Sequence, residues 1–106
     1  MRKIETQMNS AIRSRRDWQS GNTRVEITED NTAIVYLHCN QIAEVDETNV
    51  RLFDGGWQSV TTKSRLNALL DQCGKLGEKV FSKKHDWYFR CSDSEVIDFR
   101  SGMLLT

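Results

Sequence analysis

Proline is absent from the 106 residues, and long apolar runs are absent as well. Without proline there is no sign of a linker or a Pro-rich tail, and a chain of this length suits one domain, residues 1–106. The longest apolar stretches, such as residues 34–37, are far shorter than the roughly 20 residues that a membrane helix needs. The charged N-terminus lacks the apolar segment of a signal peptide. We therefore predict one cytoplasmic domain with no membrane segment.

Soft metal ligands are few: three cysteines, Cys39, Cys73 and Cys91, and two histidines, His38 and His85. Their spacing matches no CxxC, HxxxH or HExxH motif, so we predict no metal and no cofactor. An odd number of widely spaced cysteines does not suit a disulfide framework. His38 and Cys39 are neighbours, and on a strand they would face opposite sides, which argues against a Cys–His nucleophile. We therefore predict no enzymatic activity.

Two segments carry apolar residues at helical spacing. The first predicted helix covers residues 3–18, where an apolar stripe ends at Trp18. The second begins at Thr61 or Thr62, whose hydroxyl can cap it, and ends before Gly74.

Alternating apolar and polar residues separated by short turns predict the strands. They lie at residues 23–28, 32–38, 42–45 and 50–53, then at 80–81, 87–90 and 96–99, with an optional strand at 57–60. Short connections require antiparallel neighbours, and strand 32–38 is apolar enough to be central and covered on both faces. The predicted fold class is α+β: an antiparallel sheet of about five to seven strands with two helices packed on it, in the order α-β-β-β-β-(β)-α-β-β-(β).

Positive and negative charges cancel over the whole chain but not within its parts. Residues 1–24 hold six basic and two acidic side chains, residues 25–54 one and seven, and residues 55–90 seven and three. Each basic block contains a predicted helix, so a polyanion would meet the helices. The acidic block suits a solvated sheet edge, a nuclease site with a divalent ion, or a surface that imitates DNA. A plain scatter of charges over a small protein explains the same pattern.

The segment from Gly55 to Arg65 is the predicted binding site. Its two glycines let the backbone be approached closely, and a helix start offers free amides to an anion. Basic residues oppose the helix dipole there, which points to a functional reason, although a well-capped helix with solvated cations remains the alternative. The predicted contacts for an anion, nucleic acid or partner are Arg13, Arg16, Arg24, Trp57, Thr61, Thr62, Lys63, Ser64 and Arg65, with His38 and Asn40 in a nearby turn.

Three segments together resemble a known protein family: residues 20–25, residues 35–43 and residues 56–70, the last holding the run Trp-x-x-x-Thr-Thr-Lys-Ser-Arg-Leu-Asn-Ala. The family consists of small proteins of tailed bacteriophages, including the early regions of T7-like podoviruses, and the likeness covers roughly residues 4–90. The family has a glycine where this chain has Cys39, which implies a tight turn there and no special role for the thiol. The resemblance implies a phage accessory protein in the host bacterial cytoplasm.

Two functions follow from these observations. The first is a non-enzymatic protein that binds a host protein or complex, for host takeover or as an anti-defence inhibitor. The alternative is direct binding of DNA or RNA by the two basic helices, which requires Arg13, Arg16, Arg24, Lys63 and Arg65 to share one continuous face. A small nuclease is a weaker third hypothesis and requires the carboxylates to converge in a cleft.

Overall fold

Residues 2–105 are described by a computed structural model, and they form two helices and two antiparallel sheets, which confirms the α+β class and the predicted order. The large sheet has the strand order β1-β2-β3-β4-β5-β9, and the small sheet has the order β6-β7-β8. The elements are α1 Lys3–Ser14, β1 Trp18–Ser20, β2 Thr23–Ile27, β3 Ala33–Leu37, β4 Asn40–Val45, β5 Val50–Leu52, α2 Val60–Cys73, β6 Lys79–Lys83, β7 Asp86–Arg90, β8 Val96–Asp98 and β9 Met103–Leu105.

One face of the large sheet is buried under the helices, as the alternation in its strands requires. In β3 the side chains of Ala33, Val35 and Leu37 are buried, whereas Ile34 and Tyr36 are only half-buried. Strand β3 is central, as predicted, but only one of its faces is covered, because both helices pack on the same side. The other face of the large sheet remains open.

The two helices lie side by side and run in the same direction. The Asn9 side-chain amide donates to the Ala68 carbonyl at 2.9 Å, and one turn further on the Gln72 amide donates to the Asn9 carbonyl at 2.8 Å. Helix α1 packs over β1 and β2, and α2 packs over β4 and β6. The start of α2 therefore lies at the same end of the molecule as the start of α1.

Helix α1 is shorter than the predicted helix over residues 3–18. It ends at Ser14 because Arg15 adopts a left-handed conformation, with φ 51°, and its backbone N–H closes the last turn. Trp18 then begins β1 and pairs with Val25. The Asp17 carboxylate accepts a hydrogen bond from a backbone N–H of β2 at 2.8 Å, which fixes the change of direction.

The second half of the chain differs from the prediction in four respects. Residues 57–59 form no strand and lead directly into α2. Ser59, not Thr61 or Thr62, caps α2 by accepting from the Thr62 N–H at 3.1 Å. Strands β6, β7 and β8 form a separate sheet. Strand β9, which the prediction omits, returns to pair with β5.

Candidate functional site

A two-residue turn joins β3 to β4 and forms one side of a surface cleft. His38 and Cys39 both have positive φ, 51° and 67°, which is the requirement of a type I′ turn. Glycine or asparagine normally occupies such positions, because other residues are strained there. The tight turn predicted at Cys39 is confirmed.

A β-bulge next to this turn supplies the apolar part of the cleft. Gln41 pairs with Tyr36 and Ala43 pairs with Val35, so Ile42 is the extra residue in β4. A bulge changes the direction of the side chains around it. Ile42 is buried and lines the cleft rather than continuing the regular alternation.

The turn after β5 forms the opposite side. The Asp54 carboxylate accepts from the Gly56 N–H at 2.8 Å, and Gly55 has φ 68°. A Cβ atom on Gly55 would lie 3.2 Å from Cβ of Asn40 and 3.3 Å from Cγ2 of Ile42. Glycine therefore lets this turn lie directly against the β3–β4 hairpin, a close approach that the pair of glycines predicts.

We call the resulting space of about 230 Å³ the Trp57 cleft. Buried Leu37 and Ile42 provide its apolar interior, and Trp57 at its border is 74% exposed. Asp54 supplies the carboxylate group in its lining. The lining residues are Leu37, His38, Asn40, Ile42, Asp54, Gly55, Trp57, Ser59 and Thr62.

The cleft thus joins Trp57 and Thr62 of the predicted site to the His38 and Asn40 turn. Sequence reasoning did not identify Leu37 and Ile42 as parts of it. Their spacing is that of ordinary core residues, and no local signal marks a bulge in β4.

Most polar side chains at the start of α2 form hydrogen bonds to other groups of the protein. The buried Thr62 hydroxyl donates to the Trp57 carbonyl at 3.2 Å, and the Lys63 ammonium donates to the Ser82 hydroxyl at 2.6 Å. The Ser64 hydroxyl donates to a carboxylate oxygen of Glu5 at 2.5 Å. Thr61 is half-buried in the first turn of the helix.

Arg65 lies in the core, with 3% of its surface exposed, although the sequence predicts it at the binding surface. Its guanidinium is 2.8 Å from the Glu5 carboxylate and also donates to the Thr23 hydroxyl at 3.0 Å. Burial raises the pKa of Glu5, but hydrogen bonds from Ser64 and Arg65 outweigh this effect and hold that pKa below 4.5. Arg65 therefore joins α1, α2 and β2 from within.

The remaining predicted cations lie apart from one another. Arg13 donates to the Gln72 side chain at 3.2 Å, near the ends of both helices, and the exposed Arg16 follows the end of α1. Arg24 lies on the open face of the large sheet, with its guanidinium carbon 4.3 Å from the centre of the Tyr36 ring. The five cations that a helical nucleic-acid surface requires do not form one face.

The acidic residues of the sheet are dispersed over its edges and turns. In the β2–β3 turn the Thr28 hydroxyl donates a hydrogen bond to the Asp30 carboxylate. In the β4–β5 turn the Asp46 carboxylate accepts from the backbone N–H groups of Thr48 and Asn49 at 2.8 and 2.6 Å. Backbone hydrogen bonds lower the pKa of Asp46. Within residues 2–105 no group of three or more His, Cys, Asp or Glu side chains is arranged to hold a metal ion.

The chain belongs to the Kyanoviridae Gp96 protein family, whose model matches residues 1–106. This match confirms the resemblance to a family of phage proteins. It supports neither a relation to T7-like podoviruses nor the Gly56–Leu70 segment as the signature of the family. No curated protein and no solved structure matches the chain. Neither helix within residues 2–105 is long and apolar enough to cross a membrane.

Proposed function

We propose that this protein is a non-enzymatic phage accessory protein that binds a host protein through the Trp57 cleft, in the cytoplasm of the infected bacterium. The observation that carries the proposal is a tryptophan 74% exposed beside a cleft with an apolar interior. Tryptophan is enriched among the few residues that dominate protein interfaces, particularly next to pockets. Val60, 72% exposed, extends the apolar surface along the first turn of α2.

The cleft suits a protein segment better than a phosphate group. A volume of about 230 Å³ accommodates one large apolar side chain, because an apolar cavity of about 150 Å³ already holds benzene. The polar groups of His38 and Asn40 lie at the rim, where a partner's backbone can bond to them. The carboxylate of Asp54 repels an anion. We infer a partner that inserts one aliphatic or aromatic side chain, and whose capture serves host takeover or inhibits a defence system.

The state of Cys73 and Cys91 supports a binding role rather than a nucleophilic one. Burial raises the pKa of the Cys73 thiol, and desolvation together with the nearby carboxylates of Asp93 and Glu95 raises that of Cys91. Both thiols stay protonated at neutral pH, and a thiol is a weaker nucleophile than a thiolate.

Affinity capture from a lysate of the bacterial host, with a matched pair of variants, tests the proposal. Trp57→Ala removes the aromatic ring at the cleft. Leu76→Ala removes another exposed apolar side chain, 96% exposed, beyond the other end of α2. We expect one host protein to be retained at stoichiometric level by the wild type and by Leu76→Ala. Binding of that purified protein, measured by calorimetry, should weaken about 30-fold or more with Trp57→Ala.

Two results would contradict the proposal. One is the absence of any stoichiometric host partner. The other is a partner whose affinity changes equally in Trp57→Ala and Leu76→Ala, since binding would then not depend on the cleft.

A further inference from the structure

The outward face of the small sheet carries a pair of aromatic rings stacked on each other. Phe81 of β6 lies directly opposite Tyr88 of β7, and their ring centres are 5.7 Å apart with 30° between the planes. Both rings are half-buried, whereas Val80, Trp87 and Phe89 point to the other face and are buried in the core. The stacked rings are therefore not needed to fill the core.

Basic side chains flank this aromatic pair along both strands. Lys79 lies opposite Arg90 on one side of the rings, and Lys83 lies on the other side; the alternation of a strand places all three on the same face as the rings. Among the described residues, none of these three cations forms an ion pair with a carboxylate, unlike Arg65 with Glu5 and Arg24 with Glu26. Like charges directly opposite each other destabilise a sheet. The Lys79–Arg90 pair thus costs stability that a bound anion would restore.

Two carboxylates on the same face divide it into a cationic side and a side that also carries negative charge. Asp86 lies on β7 opposite Lys83, and Asp98 lies on β8 opposite Tyr88. Strand β6 carries no acidic residue, so it forms the cationic side of the face, and Lys84 in the hairpin turn extends it. The distance along β6 from Lys79 to Lys83 is about 13 Å, with the rings midway.

We propose that this surface, the β6–β7 face formed by Lys79, Phe81, Lys83, Tyr88 and Arg90, binds single-stranded nucleic acid. Bases stack on the two rings while the phosphates follow the cations of β6, the combination that general single-strand binders use. A duplex cannot offer unstacked bases to the rings, so it binds less tightly. The face shares no residue with the Trp57 cleft and adds a second function. The sequence placed a nucleic-acid surface on the two basic helices, and we propose the β6–β7 face instead.

Fluorescence anisotropy with a labelled oligothymidylate of about 15 nucleotides, an oligouridylate of the same length and a matched duplex tests this proposal. We expect at least one single strand to bind more tightly than the duplex. Its affinity should fall as salt rises from about 50 to about 200 mM, because phosphate contacts release counterions. Phe81→Leu and Tyr88→Leu keep the bulk of an apolar side chain and remove the ring. Each should weaken binding about fivefold or more.

Charge variants separate this face from the rest of the basic surface. Lys79→Gln should weaken binding and reduce its salt dependence, whereas Arg13→Gln on α1 should change neither. Lys79→Gln should also raise the midpoint of thermal unfolding, because it removes the repulsion with Arg90, so loss of binding cannot be attributed to unfolding. Trp57→Ala should leave nucleic-acid affinity unchanged, which distinguishes this surface from the cleft. Absence of binding at about 50 mM salt, tighter binding of the duplex, or equal effects of Lys79→Gln and Arg13→Gln would overturn the proposal.

Discussion

At the scale of single residues, Glu5 and Arg65 form a buried ion pair in which the loss of either partner leaves the other charge unpaired. Arg65→Met should lower the free energy of unfolding by about 3–5 kcal/mol, because it leaves the Glu5 carboxylate buried without its partner. Urea unfolding measures the loss. Arg13→Met, the same change at an exposed arginine, is the control and should cost far less. A double variant that also carries Glu5→Met should recover part of the loss, and failure to do so would contradict this explanation.

The same carboxylate predicts an acid sensitivity. The pKa of Glu5 is lower in the folded protein than its ordinary value of 4.5. Its stabilising contribution is therefore complete above about pH 4.5 and is lost as the pH falls through the lower folded value. Urea unfolding between about pH 7 and pH 3 should show the wild type losing stability more steeply than Glu5→Gln in the acidic range. If the stability of the two proteins fell with pH at the same rate, other carboxylates, such as Asp46, would account for the acid sensitivity instead of Glu5.

The position of Arg65 shows what local sequence cannot determine. An arginine in the first turns of a helix has the same neighbours in sequence whether it faces solvent or a second helix. Its partner Glu5 is 60 positions away, and only the packing of α1 against α2 brings the two together. Lys63, two positions earlier, reaches Ser82 on the small sheet instead.

At the scale of elements, the β3–β4 hairpin contains a strained residue that can be relieved. Cys39→Gly should stabilise the protein by about 1 kcal/mol, because glycine adopts φ near 67° without the cost that a side chain imposes. Thermal or urea unfolding measures the gain. Cys39→Ala removes the thiol but keeps the strain, so an equal gain with alanine would assign the effect to the thiol.

The sequence predicted most elements because their apolar periodicity is strong, as in β2 and in α1. It failed where no periodicity exists. Arg15 ends α1 in a conformation that glycine usually supplies. The apolar spacing of the sequence continues past it to Trp18, so it does not mark this end of the helix. The bulge at Ile42 leaves the apolar character of β4 unchanged, yet it creates the interior of the cleft.

At the scale of the whole molecule, the strands divide into two sheets that share no backbone pairing within residues 2–105. Strand β9 pairs with β5 far away in sequence, and a strand of only three residues is too short to show a periodic pattern that would predict this pairing. The small sheet is held to the rest through α2. The Asn67 side chain accepts from the Val80 N–H at 2.8 Å and donates to its carbonyl at 2.9 Å, as a neighbouring strand would.

This attachment predicts a localised effect of Asn67→Ala. The variant should lower stability by about 1–3 kcal/mol, because it leaves polar backbone groups at the edge of β6 without partners. Amide hydrogen exchange followed by NMR should be faster in the variant than in the wild type, and the increase should be larger in β6 and β7 than in β2 and β3. Asp71→Ala, an exposed change on the same helix, is the control, and uniform acceleration in both sheets would contradict a localised effect.

The division into two sheets has a consequence for how the protein can evolve and be engineered. Hydrogen-bonded units that are joined mainly by side chains open separately, each with its own free energy. Substitutions that loosen the small sheet can therefore accumulate while the β3–β4 hairpin and the turn after β5 keep their shape. Selection for a new ligand on one surface is then free to proceed without sacrificing recognition at the other.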